Sequence, residues 1–301
     1  MKFGQVENPE EVDFTIPPDH PDTKRVLAKS KATNLDVYVG CSKWNSKYLK
    51  GFYPEGIKDE LAYYGSQFNC VELNATFYKR YWEPTYKAWR VAVPDGFKFS
   101  PKFNQGVTHY SRLKDIDSRI EEFAENVAHL GDKLGPLLLQ MHNNFPPKNF
   151  DRVAAFVELW KYDLPVAIEF RQTEWYNNPD VTSRLYDLLE RNRITNVLVD
   201  TAGRRDLMHM RLTTGTAFVR WVGANHPSDY DRLDAWVNRI ALWKKSGLRE
   251  LYFFVHQNIE KESPLLSAYF IEKLNKKIGT KISIPKTLNS KPEKIRRSAA
   301  R

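Results

Sequence analysis

Val166-Ala-Ile-Glu-Phe-Arg-Gln-Thr-Glu-Trp175 is the stretch on which the reading of this chain turns. It opens as a short apolar run and places Glu169 and Arg171 two residues apart. Side chains two apart on a strand share a face, so this acid and this guanidinium meet one environment. With Trp175 just beyond them, they have the disposition of a ligand site at the carboxyl end of a parallel barrel strand.

Working outward, seven more strand-like runs share this character: Val37–Gly40, Cys70–Asn74, Phe97–Lys102, Pro136–Met141, Thr195–Asp200, Ala217–Val222 and Glu250–Val255. Helical patterns lie between them: Glu60–Phe68, a helix from Pro84, Arg119–Leu130, Asp151–Trp160 with Asp151 as its cap, Asp180–Arg191 and Tyr230–Lys245, with Ser263–Lys277 last. Eight alternations predict an α/β fold of the TIM (β/α)8 barrel type rather than an open sheet. The sixth βα unit is expected to be irregular, because Thr201–Thr214 is poorly patterned. This assigns residues 35–278 to the barrel. Residues 1–34, with Pro17, Pro18 and Pro21, read as a loosely packed extension without regular structure, and 279–301 as a flexible basic tail.

Composition narrows the function classes. The chain has 301 residues, 42% of them hydrophobic, enough for a large core. No apolar run approaches the roughly 20 residues that span a bilayer, so no membrane role is expected, and the start lacks the apolar region of a secretory signal, which predicts a cytoplasmic protein. Cys41 and Cys70 read as free structural thiols, expected roughly 10 to 15 Å apart. The net charge of +9 is local: residues 273–301 hold ten Lys or Arg against Glu293 alone, which leaves 36 basic against 36 acidic residues elsewhere. A nucleic-acid partner therefore rests on the tail. Gly40-Cys-Ser-Lys-Trp44 has neither GxGxxG nor GxxxxGK[ST] spacing, so no nucleotide cofactor is predicted. Nothing in the composition selects an oligomeric state.

A barrel would gather its strand ends: Trp44 after the first strand, Glu72 and Asn74 on the second with Tyr78 after it, Lys102 and His109 at the third, Gln140 on the fourth, Glu169 and Arg171 on the fifth with Trp175 after them, Asp200 on the sixth, Arg220 on the seventh and His256 on the eighth. Each has a plainer reading. Glu72 and Lys102 could form an ion pair across neighbouring strands, Glu169 and Arg171 an intra-strand clamp, and Asp200 a local turn. Arg220 is harder to dismiss, because an Arg among Phe218, Val219, Trp221 and Val222 needs an anionic partner. Trp44, Tyr78 and Trp175 could stack on a ring or simply cover the barrel. Glu72, Glu169, Asp200 and His256 could hold a divalent metal, a weak reading because Lys102, Arg171 and Arg220 would crowd the same mouth with positive charge.

Several separated motifs occur in order: Val39-Gly-Cys-Ser-Lys-Trp44, Phe52-Tyr-Pro54, Val71-Glu-Leu-Asn-Ala-Thr-Phe-Tyr78, Phe97-Lys-Phe-Ser-Pro-Lys102 with Thr108-His109, Leu130-Gly-Asp-Lys-Leu-Gly-Pro136 leading to Gln140, and Ala167-Ile-Glu-Phe-Arg171 with Trp175. In these residues the chain resembles the YecE-like family, domain of unknown function seventy-two, over about residues 35–260. The resemblance implies a TIM barrel of unestablished activity and points to Glu72, Asn74, Lys102, His109, Gln140, Glu169, Arg171, Asp200 and Arg220. The chain departs from the family pattern at Met141-His-Asn-Asn144, where Leu-Pro-Pro is usual, at Trp221-Val-Gly223, where Leu-His-Gly is frequent, and at His256-Gln257, where an Asn pair is common.

The expectation is a cofactor-independent enzyme, a hydrolase, lyase or isomerase, acting on a small anionic, sugar-like molecule. Arg171 and Arg220 would hold the anion, with Asn74, His109, Gln140, Trp44, Tyr78 and Trp175 lining the site. Glu169 or Glu72 would move the proton, Asp200 would join them, and Lys102 would offset developing negative charge. The alternative is a nucleic-acid binding or processing protein that uses the mouth and the basic tail.

Overall fold

Apolar runs stopped by a polar or glycine residue become strands, buried along most of their length as parallel strands covered on both faces are. They are β1 (Asp36–Cys41), β2 (Cys70–Leu73), β3 (Lys98–Pro101), β4 (Leu137–Gln140), β5 (Val166–Glu169), β6 (Thr195–Asn196), β7 (Leu198–Asp200), β8 (Thr216–Gly223) and β9 (Glu250–Gln257). The computed structural model describes residues 4–30 and 32–287. It is a mixed α/β fold in which every strand pairing is parallel. Six strands form one sheet in the order β3-β2-β1-β9-β8-β7, and three form another in the order β4-β5-β6. Isolated parallel bridges Phe99↔Leu134 and Lys102↔Leu138 link β3 to the chain at β4. On the other side Val197 alone separates β6 from β7. The expected sixth strand, Thr195–Asp200, is thus broken at one residue, its first part pairing with β5 and its second with β8.

The helices start and stop where local chemistry directs. Helix α2 (Glu60–Gln67) is capped by Asp59, whose carboxylate accepts from Ala62 N at 2.9 Å, and α8 (Pro179–Arg191) by Asn178. Helix α4 (Glu83–Ala92) carries Pro84 in its first turn. Short α3 (Ala75–Tyr78) and α7 (Glu174–Asn177) follow β2 and β5, and α5 (Asp117–Ala128) and α6 (Phe150–Leu159) precede β4 and β5. Asp151 does not cap α6: the helix begins at Phe150, with Asn149 before it and no side-chain cap. Helix α9 (Ser228–Lys245) packs on α10 (Ser263–Ile278), which lies against β1 and β9 and ends at Gly279 in the left-handed region, φ 73°. Among the described residues no helix is long and apolar enough to cross a membrane.

Two large apolar clusters lie under the helices. A third gathers Cys70, Leu138, Ala167, Val199, Phe218, Tyr252 and Phe254, side chains drawn from strands of both sheets.

Two further expectations are corrected. Pro21–Ser30 is a helix, α1, not an irregular extension: Pro21 sits in its first turn, and Thr23, Val26 and Leu27 are buried. Residues before it are tied down as well, Gly203 N donating to Gly4 O at 2.9 Å and Arg239 to Pro17 O at 2.9 Å. Cys41 and Cys70 are closer than expected, because Gly40 pairs with Cys70 across β1 and β2. The one-step offset points the thiols to opposite faces, and both are free and buried. Gly40 is required there, since a Cβ would come within 2.0 Å of Cys70 O. Of the basic tail, residues 288–301 lie outside the described residues.

Candidate functional site

Five strand ends converge on one cluster of charges. Glu72 near the end of β2, Lys102 just past β3, Gln140 closing β4, Glu169 closing β5 and Arg220 inside β8 are all buried. Register brings Gln140 beside Glu169. Arg220 is the centre: its fork donates to Glu72 from Nε (2.8 Å) and Nη2 (2.9 Å), and its Nη1 donates to Glu169 at 2.6 Å. A guanidinium shared in this planar way by two carboxylates is the strong form of a charge-assisted hydrogen bond, and it supplies the anionic partners Arg220 needs. Glu72 also accepts from Asn74 Nδ2 at 2.8 Å and lies 3.2 Å from His256 Nε2. On the far side Arg171 Nε donates to Glu169 at 2.6 Å.

Burial, the largest single influence, would raise the two carboxyl groups, but Arg220 together with His256 at Glu72, and with Arg171 and Lys102 at Glu169, outweighs it and holds both below the usual carboxylate range, Glu72 well below. They are therefore charged near neutrality and weak as bases. Lys102 behaves oppositely. Burial, then the charge of Arg220, push its ammonium down to about 7 against the pull of Glu72. His109 is pushed down to about 4 by burial and by Lys102, so its imidazole is neutral at pH 7. Its Nδ1 lies 2.9 Å from Thr108 Oγ1, and its ring meets Phe77 and His142 edge-on.

Gln140 Oε1 carries the feature that sets this cluster apart. It accepts from Lys102 Nζ at 2.9 Å and Arg171 Nη2 at 2.8 Å, and Arg220 Nη1 approaches it at 3.5 Å. One neutral amide oxygen has two lone pairs, so three cationic donors converge where two acceptors' worth of electron density is available.

The structure does not gather every residue predicted for the mouth. Glu72 and Lys102 are not an ion pair; Glu72 takes Arg220 and Lys102 takes Gln140. Asp200 is elsewhere: its carboxylate accepts from Arg232 Nη2 (2.8 Å), Trp236 Nε1 (2.6 Å) and Arg205. Trp175 is buried, its indole donating to Phe145 O at 2.6 Å and its ring stacked on Phe170 at 4.2 Å, which leaves no face for a ligand. Trp44 is half-buried against Trp89. Tyr78, 72% exposed, stands edge-on to Phe77. Glu72, Glu169, Asp200 and His256 do not assemble as a donor set, and among the described residues no group of three such ligands could hold a metal ion.

One member escaped the sequence reading: Asn143 Oδ1 accepts from Arg171 Nη1 at 3.3 Å, and it belongs to Met141–Asn144, where the chain departs from the family pattern. His256, expected among the gathered strand ends, does join the cluster, through Glu72.

A family model described as "Protein of unknown function DUF72" matches residues 38–291. The chain belongs to the DUF72 family. It is 23% identical over 274 residues to the UPF0759 protein YecE of Escherichia coli K12, covering 83% of this chain and 97% of that protein. It is 31% identical over 157 residues to the UPF0759 protein YunF of Bacillus subtilis 168, covering 48% of this chain and 53% of the relative. A DUF72 protein of Thermotoga maritima superposes with a TM-score of 0.64 at 26% identity, covering 80% of this chain and 99% of that one. One from Enterococcus faecalis gives 0.62 at 20% identity, with 85% and 98% covered.

Proposed function

We propose that this DUF72 chain is a cofactor-independent enzyme that takes a small anion, a phosphate- or carboxylate-bearing, sugar-like molecule, at the mouth of a closed eight-stranded parallel barrel. Support for closure comes from the bridges at β3 and β4, the single residue between β6 and β7, and the apolar cluster drawn from both sheets. The observation that carries the ligand class is the convergence of Lys102, Arg171 and Arg220 on Gln140 Oε1. An anionic group arriving there would give each cation an acceptor that the amide supplies only in part. The pKa directions also recast the roles. Glu72 and Glu169 orient the guanidiniums as fixed carboxylates, and Lys102, titrating near neutrality, is the group suited to carry a proton.

Isothermal titration with inorganic phosphate, sulfate and sugar phosphates tests this reading. Arg171→Gln should weaken binding by about tenfold or more while leaving Glu169 its bond to Arg220. Equal affinity in the variant and the parent, or no binding to either, would remove the proposal.

A further inference from the structure

Lys102 leaves β3 on a backbone held at both ends. Its N–H donates to Thr76 Oγ1 at 3.0 Å, and its carbonyl accepts from the same hydroxyl at 2.7 Å. The side chain is thereby committed to the cluster, where Nζ lies 2.9 Å from Gln140 Oε1 and 4.2 Å above the Phe77 ring. The two carboxylates of the cluster pair with Arg220, Arg171 and His256. Among the described residues none pairs with Nζ. A lysine placed to neutralise charge would lie on a carboxylate; this one lies on an amide and an aromatic face, beside two guanidiniums.

We propose that Lys102 is a nucleophile that condenses with an aldehyde or ketone bearing a carboxylate or phosphate group, forming a Schiff base. This rests on the anion-binding reading above. Arg171 and Arg220 would hold the anionic group, which brings the carbonyl carbon of the same molecule to Nζ. The nitrogen lone pair adds to that carbon, the carbonyl electron pair moves to oxygen, and a proton passes from nitrogen to oxygen to give the carbinolamine. The hydroxyl then leaves with the second nitrogen-bound hydrogen as water, and the C–N bond becomes double. No oxidant or reductant enters.

The charges facing Lys102 act in the required direction. Burial, Arg220 and Arg171 favour the free amine, while Glu72 and Glu169 oppose them; the balance puts the amine near half-deprotonated at neutral pH. The carboxylates then stand ready to stabilise a protonated imine.

The test is reductive trapping of the full-length protein with sodium cyanoborohydride and either dihydroxyacetone phosphate or pyruvate, read by peptide mass mapping. The expected result is one adduct, heavier by the probe's mass less one oxygen, on the peptide containing Lys102. It should form faster as pH rises through about 7 and more slowly under excess sulfate. Lys102→Arg, which removes the nucleophile, should lose the adduct while remaining folded by near-UV circular dichroism. An adduct that persists in Lys102→Arg, or its absence from wild type while sulfate or the probes still bind, overturns the Schiff base and leaves the anion site standing. Absence of both adduct and binding overturns both readings.

Discussion

Two buried charge clusters built from the same residue types lie at strand ends of this molecule, and they differ in the acceptor that their donors share. Around Asp200 the donors converge on a carboxylate, although Arg232 Nε lies buried without a partner. Arg232 and Trp236 reach it from α9, Arg205 from the loop after β7, and Arg232 also meets Asp229 at 3.0 Å and Val222 O at 3.1 Å. Phe14 of the N-terminal segment lies over Arg232 at 4.4 Å, and Arg205 reaches Thr15 O at 2.9 Å. That cluster fastens the segment before α1 and α9 to the sheet. Around Arg220 the carboxylates are equally satisfied, yet Lys102, Arg171 and Arg220 share a single amide oxygen. In the first cluster the shared acceptor is a carboxylate; in the second it is an uncharged amide oxygen that three cations approach.

The largest effect that would probe this contrast is at its shared element, a buried guanidinium. Arg220→Met strands two buried carboxylates and should cost about 3–5 kcal/mol of unfolding free energy at pH 7, measured by urea denaturation. The sign with pH is fixed by the depressed carboxyl values: their contribution is present above the unfolded carboxyl range near 4.3 and is lost as pH falls through the folded values, so the gap between variant and parent should narrow on acidification. A gap that is constant with pH would mean that Glu72 and Glu169 are not held by Arg220.

Asp200→Asn should cost less, on the order of 2–3 kcal/mol, because the amide keeps some of the hydrogen bonds while Arg232 loses its charge partner. Anion affinity should be unchanged in this variant. A loss of affinity comparable to that of Arg171→Gln would erase the distinction between fastening and site.

The smallest effect is a pH dependence. In the free protein Lys102 titrates at about 7, below its ordinary 10.5, so between those values the unfolded chain binds more protons and this group adds stability as pH rises. Anion binding has the opposite slope, since the ammonium is the form that attracts the ligand. Affinity for sulfate should fall above pH 7 by at most about tenfold per unit. In Lys102→Met the dependence should flatten, which titration calorimetry at several pH values would show.

Much of the fold was legible in the chain. Runs such as Val166–Glu169 and Leu137–Gln140 are short, apolar and bounded, so period and length name them as strands, and Glu169 and Arg171 meet because two-residue spacing selects one face. The helix Pro21–Ser30 is hidden in the sequence because its proline reads as a breaker. Yet Pro is tolerated in a first turn, and Thr23, Val26 and Leu27 recur at helical spacing. Asp200 stands apart from the Arg220 cluster because two of its partners, Arg232 and Trp236, reach it from 32 and 36 residues away; the Asp229 and Arg232 pair on the otherwise apolar inner face of α9 is the sequence signal of a buried acid there.

Sequence alone determined which residues would end the strands and which faces they would share, because both follow from periodicities of two and 3.6 that operate over a few residues. Which of those ends would meet, and with how many acceptors, was decided only by tertiary structure. Glu72 and Arg220 are 148 residues apart, and no local rule distinguishes the acid that closes on α9 from the acids that gather around Arg220. That difference lies in which donors come within a few ångströms of each acid, a property that exists only once the chain is folded.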